Sequence, residues 1–250
     1  MNEYKPEGQL IKTVRNYEYI SSRSGLEKAL EKQMILEAPV ILCDHNFNLH
    51  VELCPGVKGL MPRDEVEYSP DGEQIKDIAI LTRVGKTVCF KVSGFTVSQS
   101  GEITAILSRR AAQRECVENY LMSLCPGDII PAKVTHLESF GAFVDIGCGR
   151  ISLLSIDCIS VSRISHPSAR LSVGELIFTA VKSIDDRGRI FEYDRGCRVY
   201  PGTYRRQYGY LCRLDTGWGP RSCNCDSRSY PSRVYYNAPY RLTHPQSTQI

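Results

Sequence analysis

Short alternating apolar runs, each closed by a turn signal, constrain this chain more than any other feature. A first series comprises Val40-Ile-Leu-Cys43, Asn48–Leu53, Gly59–Met61, Thr87–Val92 and Ile103–Leu107, punctuated by Cys54-Pro-Gly56 and Ser69-Pro-Asp-Gly72. A single helical stretch follows, Arg109–Leu124, with Ala112, Val117, Tyr120, Leu121 and Leu124 on one face, and Cys125-Pro-Gly127 stops it. A second series then runs through Ile129–Leu137, Gly141–Ile146, Arg150–Leu154, Leu176–Ile184 and Arg189–Phe191. Five strands in roughly 75 residues suit a small barrel. The expected fold class is all-β: two five-stranded barrels joined by a helix, with an irregular C-terminal tail.

The two series align as copies of one unit. Val84-Gly-Lys-Thr-Val-Cys-Phe-Lys-Val92 matches Val173-Gly-Glu-Leu-Ile-Phe-Thr-Ala-Val181, and Phe47-Asn-Leu-His-Val-Glu-Leu53 matches Phe140-Gly-Ala-Phe-Val-Asp-Ile146. Alternation then assigns faces. Ala142, Val144 and Ile146 share one side of their strand and fill the single interior of a small barrel. Phe143 and Asp145 therefore face outward, with Phe140 beside them at the turn. An exposed aromatic pair of this kind forms a stacking platform for bases, and Lys133, His136, Arg150 and Arg189 are candidates to follow phosphates. Phe140 serves equally well as a plug at the barrel end. His136 and His166, isolated in strand and loop, also fit structural roles.

Residues 127–191 resemble the S1 RNA-binding domain. The resemblance is carried by Gly127-Asp-Ile-Ile-Pro-Ala-Lys-Val-Thr135, Phe140-Gly-Ala-Phe-Val-Asp-Ile-Gly147, Leu171–Asp185 and Gly188-Arg-Ile190. It implies an OB-fold module that binds single-stranded RNA, with Phe140, Phe143, Lys133, His136, Arg150, His166, Asp185 and Arg189 as contacts. On the residues alone, Asp185-Asp-Arg-Gly188 is a turn between strands. Many S1 domains carry a histidine at the end of the third strand; Leu154 stands there, and His166 in the following loop is its candidate substitute. The first copy departs further, with His50 at the place of Phe143 and Glu102 at the place of Arg189. It is expected to bind RNA weakly and to act mainly as a scaffold.

The remaining features set bounds. Residues 1–191 hold 22 Lys and Arg against 24 Asp and Glu, whereas residues 192–250 hold nine Arg against four acids. The folded part is thus not basic, and any nucleic-acid site must rest on local chemistry. Eleven cysteines occur without a C-x-x-C pair, Cys223-x-Cys225 included, so reduced, mostly buried thiols are expected over a disulfide scaffold or a zinc site. No run approaches the ~20 apolar residues of a membrane helix. The first residues lack a basic-then-apolar leader pattern, which makes a cytoplasmic setting the expectation. Residues 192–250 change character, with nine Tyr, no Lys and no Phe. Their ranked readings are an ending produced by a reading-frame change, a disordered Arg/Tyr-rich arm that contacts RNA, and a small Cys-rich domain.

The expected organisation is a polar, partly helical segment at 1–33, with Ser24 as helix cap, and a diverged S1-like barrel at 34–109. A linker helix at 110–125, an S1 barrel at 126–191 and a tail at 192–250 follow. The expected function is single-stranded RNA binding without catalysis, cofactor or metal, as a monomer. The resemblance implies translation, as a ribosomal protein S1-like factor holding mRNA near the small ribosomal subunit. An accessory factor in RNA decay or transcription is an alternative, as is a protein-interaction module using the same face, with Phe178 as a further outward aromatic.

Overall fold

The computed structural model describes residues 3–69, 72, 75–160 and 162–181. The strand expected at Arg189–Phe191, the candidate contacts Asp185 and Arg189, and the whole 192–250 segment lie outside the described residues.

Alternation builds the first barrel. Strands β1 (Leu36–Cys43), β2 (Leu49–Val51), β3 (Val57–Met61), β4 (Thr87–Val97) and β5 (Ile103–Ser108) close in the order β1-β2-β3-β5-β4. The β3–β5 pair is parallel and the others antiparallel. Leu36, Ala38, Val40, Leu49, Val51, Met61, Phe90 and Leu107 fill the interior. β1 starts earlier than its apolar run suggested, because Leu36–Pro39 pair with Thr87–Phe90 to close the barrel.

Helix α4 (Arg109–Asn119) leads into a second sheet of β6 (Ile129–Glu138), β7 (Gly141–Asp145), β8 (Ile151–Ser155) and β9 (Leu176–Ala180). Its order among the described residues is β8-β7-β6-β9, antiparallel throughout. This repeats the run β3-β2-β1-β4 of the first barrel. Both copies also carry a register shift in the corresponding long strand, at Val40/Leu42 in β1 and Val134/His136 in β6. Ala132, Val134, Ala142, Val144, Leu154 and Ile177 point into the second core. That core reaches across to Leu10, Ile35 and Cys89 of the first half, so an apolar seam joins the two copies.

Several expectations need correction. The helical stretch does not run on to Leu124: α4 ends at Asn119, and a 3-10 turn covers Leu121–Ser123. The ring of Tyr120, at the break, stacks on Tyr4 at 5.7 Å. Residues before Met34 form two helices, α1 (Val14–Ile20) and α2 (Arg23–Glu31). The cap of α2 is Ser22, whose hydroxyl accepts from the Gly25 amide, and Ser24 lies within the helix. A short helix α3 (Asp77–Leu81) interrupts the β3–β4 connection. Among the described residues no helix is long and apolar enough to cross a membrane. Cys54, Cys89, Cys116, Cys148 and Cys158 are buried free thiols.

Candidate nucleic-acid interface

The outward face of β6 and β7 carries the aromatic residues. Phe143 sits between inward Ala142 and Val144, as strand alternation requires. The shift in β6 sets His136 opposite Phe143, and the Thr135 hydroxyl donates to the Phe143 carbonyl at 3.1 Å. The His136 and Phe143 rings lie 6.3 Å apart at 27°. Phe140 meets Phe143 edge-on at 6.1 Å and 88°. Phe140 is 52% exposed, so it does not plug the barrel end. Its turn is tight: a Cβ on Gly141 would fall 2.5 Å from the Leu154 carbonyl oxygen, which only glycine avoids. The result is a row of three rings, His136, Phe143 and Phe140, open to solvent on one side. Glu138 holds the His136 imidazole at 2.8 Å.

Lys133 and Arg150, two of the expected cations, are engaged away from this row. Lys133 donates through Nζ to the Glu7 carbonyl at 2.8 Å. Arg150 donates to the Tyr68 carbonyl at 2.9 Å, lies over the Tyr68 ring and is 3.8 Å from Glu67 Oε1. Both side chains are engaged at the junction between the two halves. His166 caps the 3-10 turn Pro167–Ala169, its Nδ1 accepting from the Ser168 amide. Leu154, which stands where the resemblance implied a histidine, is fully buried.

The corresponding face of the first barrel is closed by its own side chains. The Arg63 guanidinium covers the Phe47 ring at 5.0 Å and is held by Asp77 at 2.6 Å. His50, at the place of Phe143, lies 3.5 Å from Asp44, and Lys58 pairs with Glu102 at 2.9 Å.

Sequence reasoning missed the junction itself. Residues 5–11 run as a strap between the two halves. The Cys148 amide donates to the Lys5 carbonyl at 2.9 Å, and the Glu7 amide donates to Asp145 Oδ2 at 2.7 Å. The amides of Gly8, Leu10 and Ile11 all donate to the Glu37 carboxylate. The Glu7 carboxylate meets the fully buried Arg109, which also reaches Glu67 and the Val66 carbonyl. Asp145 Oδ1 accepts from the Gly147 and Gly149 amides and so shapes the β7–β8 turn. Burial pushes both Glu37 and Asp145 up to about 7. The one sequence signal was the outward alternation of Asp145; nothing local marks Glu7 as a buried group.

The sheet that carries these rings lies within the stretch that matches a known family. Residues 124–192 match the S1 RNA binding domain model. The chain is an S1-domain protein, similar to the ribosomal protein bS1. It is 30% identical to small ribosomal subunit protein bS1 of Staphylococcus aureus (strain COL) over 188 residues, covering 74% of this chain and 45% of that protein. It is 36% identical to polyribonucleotide nucleotidyltransferase of Persephonella marina over 76 residues, 30% of this chain and 11% of that protein. Among solved structures, GSP13 from Bacillus subtilis superposes with a TM-score of 0.28 at 20% identity, over 47% of this chain and 77% of that one. The chain thus spans less than half the length of the bS1 relatives it matches.

Proposed function

We propose that this protein binds single-stranded RNA by stacking bases on Phe143, Phe140 and His136, and that it acts by binding and not by catalysis. The observation that carries the reading is the three-ring row on the outward face of β6 and β7, within the segment that matches the S1 domain. Aromatic stacking contributes ~1–3 kcal/mol per base and tolerates sequence variation. The second sheet is read as part of a barrel like the first. Asp185 and Arg189 are RNA contacts in this reading only. Similarity to bS1 favours a cytoplasmic, translation-linked role with mRNA and the small ribosomal subunit as partners; a monomeric chain is part of the proposal.

The test is fluorescence anisotropy of the full chain with a labelled single-stranded oligonucleotide, wild type against Phe143→Ala. A loss of ~1–3 kcal/mol in the variant supports stacking; equal affinity removes it. Exposed Leu176 and Phe178 on β9 favour a second reading, protein docking. Docking there predicts partner binding that resists added salt, whereas RNA binding weakens as salt rises.

A further inference from the structure

The strap does more than join the halves. Lys133 and Asp145 are register partners on β6 and β7, and Asp145 lies two residues from Phe143 on the same outward face, ~7 Å along the strand. Main-chain groups of residues 5–7 sit on this pair: the Glu7 amide on Asp145, the Glu7 carbonyl on Lys133, and the Lys5 carbonyl beside it on the Cys148 amide. Asp145 is only 2% exposed although its strand position faces away from the barrel interior. A strand-face position can be buried this way only if something outside the barrel covers it, and the strap does. The strap is in turn anchored by three amides on Glu37 and by the Glu7–Arg109 pair, so it is built into the fold.

Resting on the RNA-binding reading above, we infer that the strap of residues 5–11 is the specificity element of that face, walling off its Lys133–Asp145 half. RNA then meets only the His136–Phe143–Phe140 row. The ligand this selects is a short, unpaired run of stacked bases, held with few phosphate contacts. Lys133, the cation that a bare barrel would offer to a phosphate, is withheld. Discrimination falls on base faces, and duplexes, whose bases are already stacked, are excluded.

Salt dependence of oligonucleotide binding by the full chain tests this, because each phosphate neutralised adds ~−0.7 to the slope of log K against log salt for single strands. The probe is a labelled ten-nucleotide oligouridylate. Lys133→Met is expected to leave both affinity and slope unchanged. A Cβ on Gly8, at φ +89°, would fall 3.1 Å from Lys133 Nζ. A branched residue there is also strained at that φ, so Gly8→Val should loosen the strap and free the ammonium, steepen the slope by ~0.7 and tighten binding at low salt. Gly8→Val combined with Lys133→Met should return to the wild-type slope. A shallower slope in Lys133→Met alone, or an unchanged slope in Gly8→Val, overturns the inference. Amide exchange at Glu7 and Gly8 in the unaltered protein gives an answer independent of any variant's folding. Protection that persists at saturating oligonucleotide supports the wall, and protection lost on binding overturns it. Failure of the RNA-binding reading registers separately, as Phe143→Ala binding like wild type.

Discussion

Glu7 Oε1 lies 2.6 Å from Arg109 Nε, joining the start of the chain to the first residue of the helix between its two halves. The same guanidinium reaches Glu67 Oε2 at 2.5 Å and is wholly buried. Arg83 approaches both glutamates and Arg150 approaches Glu67, so the junction sets two carboxylates against three guanidiniums, of which Arg109 alone is wholly buried. Removing the wholly buried Arg109 takes from Glu7 and Glu67 their nearest cation while both stay largely buried.

Arg109→Met is therefore expected to cost ~3–5 kcal/mol in urea denaturation. Arg109→Lys should recover less than half of that, because an ammonium cannot span Glu7, Glu67 and the Val66 carbonyl as the planar fork does. Full rescue by lysine would mean that charge alone matters at the junction.

Stability should fall as pH rises from about 5 to about 8. Burial pushes Glu37 and Asp145 up to about 7, above the ordinary carboxyl range. A carboxyl that holds its proton more tightly when folded contributes stability that is complete below its unfolded value and is lost as pH rises through its folded one. Glu7 runs the other way. Burial opposes its ionisation, but the Arg109 and Arg83 guanidiniums overcome that and hold it below the ordinary value, so its contribution is lost in acid. The denaturation midpoint should be highest near pH 5, and Glu37→Gln should flatten the decline above it. A midpoint that climbs from pH 5 to 8 contradicts this.

Two glycines in the left-handed region separate backbone strain from crowding. Gly174, at φ +88°, has open space where a Cβ would stand. Gly149, at φ +73°, has the Arg109 guanidinium and the Glu7 carboxylate there. Gly174→Ala should cost ~1–2 kcal/mol from the backbone alone, and Gly149→Ala at least twice that by thermal or urea denaturation. Equal costs would show that the junction relaxes around the added methyl.

Among the rings, RNA affinity should follow geometry. Phe143 touches both neighbours, so Phe143→Ala should weaken binding most, ~1–3 kcal/mol, and Phe140→Ala and His136→Ala by ~1 kcal/mol each. His50→Ala should change nothing measurable in the same anisotropy assay, since Asp44 engages His50 and Arg63 covers Phe47.

Strand-by-strand alternation is a local code, and it determined a good deal by itself. It assigned Ala142, Val144 and Ile146 inward and Phe143 outward, and the paired segments at Phe47 and Phe140 marked the repeat that recurs in strand order and in the shifts of β1 and β6. Short range also explains its errors. Ser24 and Ser22 are nearly equivalent as caps in the sequence, and only the docking of Leu26 and Ala29 on the first core sets where α2 begins. The fate of the charged residues was decided by the tertiary structure alone. Lys133 and Arg150 look like free cations on a strand face, and Glu7 like a solvated residue near the start of the chain. Packing two halves against one strap engages all three in bonds across the junction. Burial of a charge depends on partners brought together from residues 7, 67, 109 and 150, and no periodicity within one segment encodes contacts across such separations.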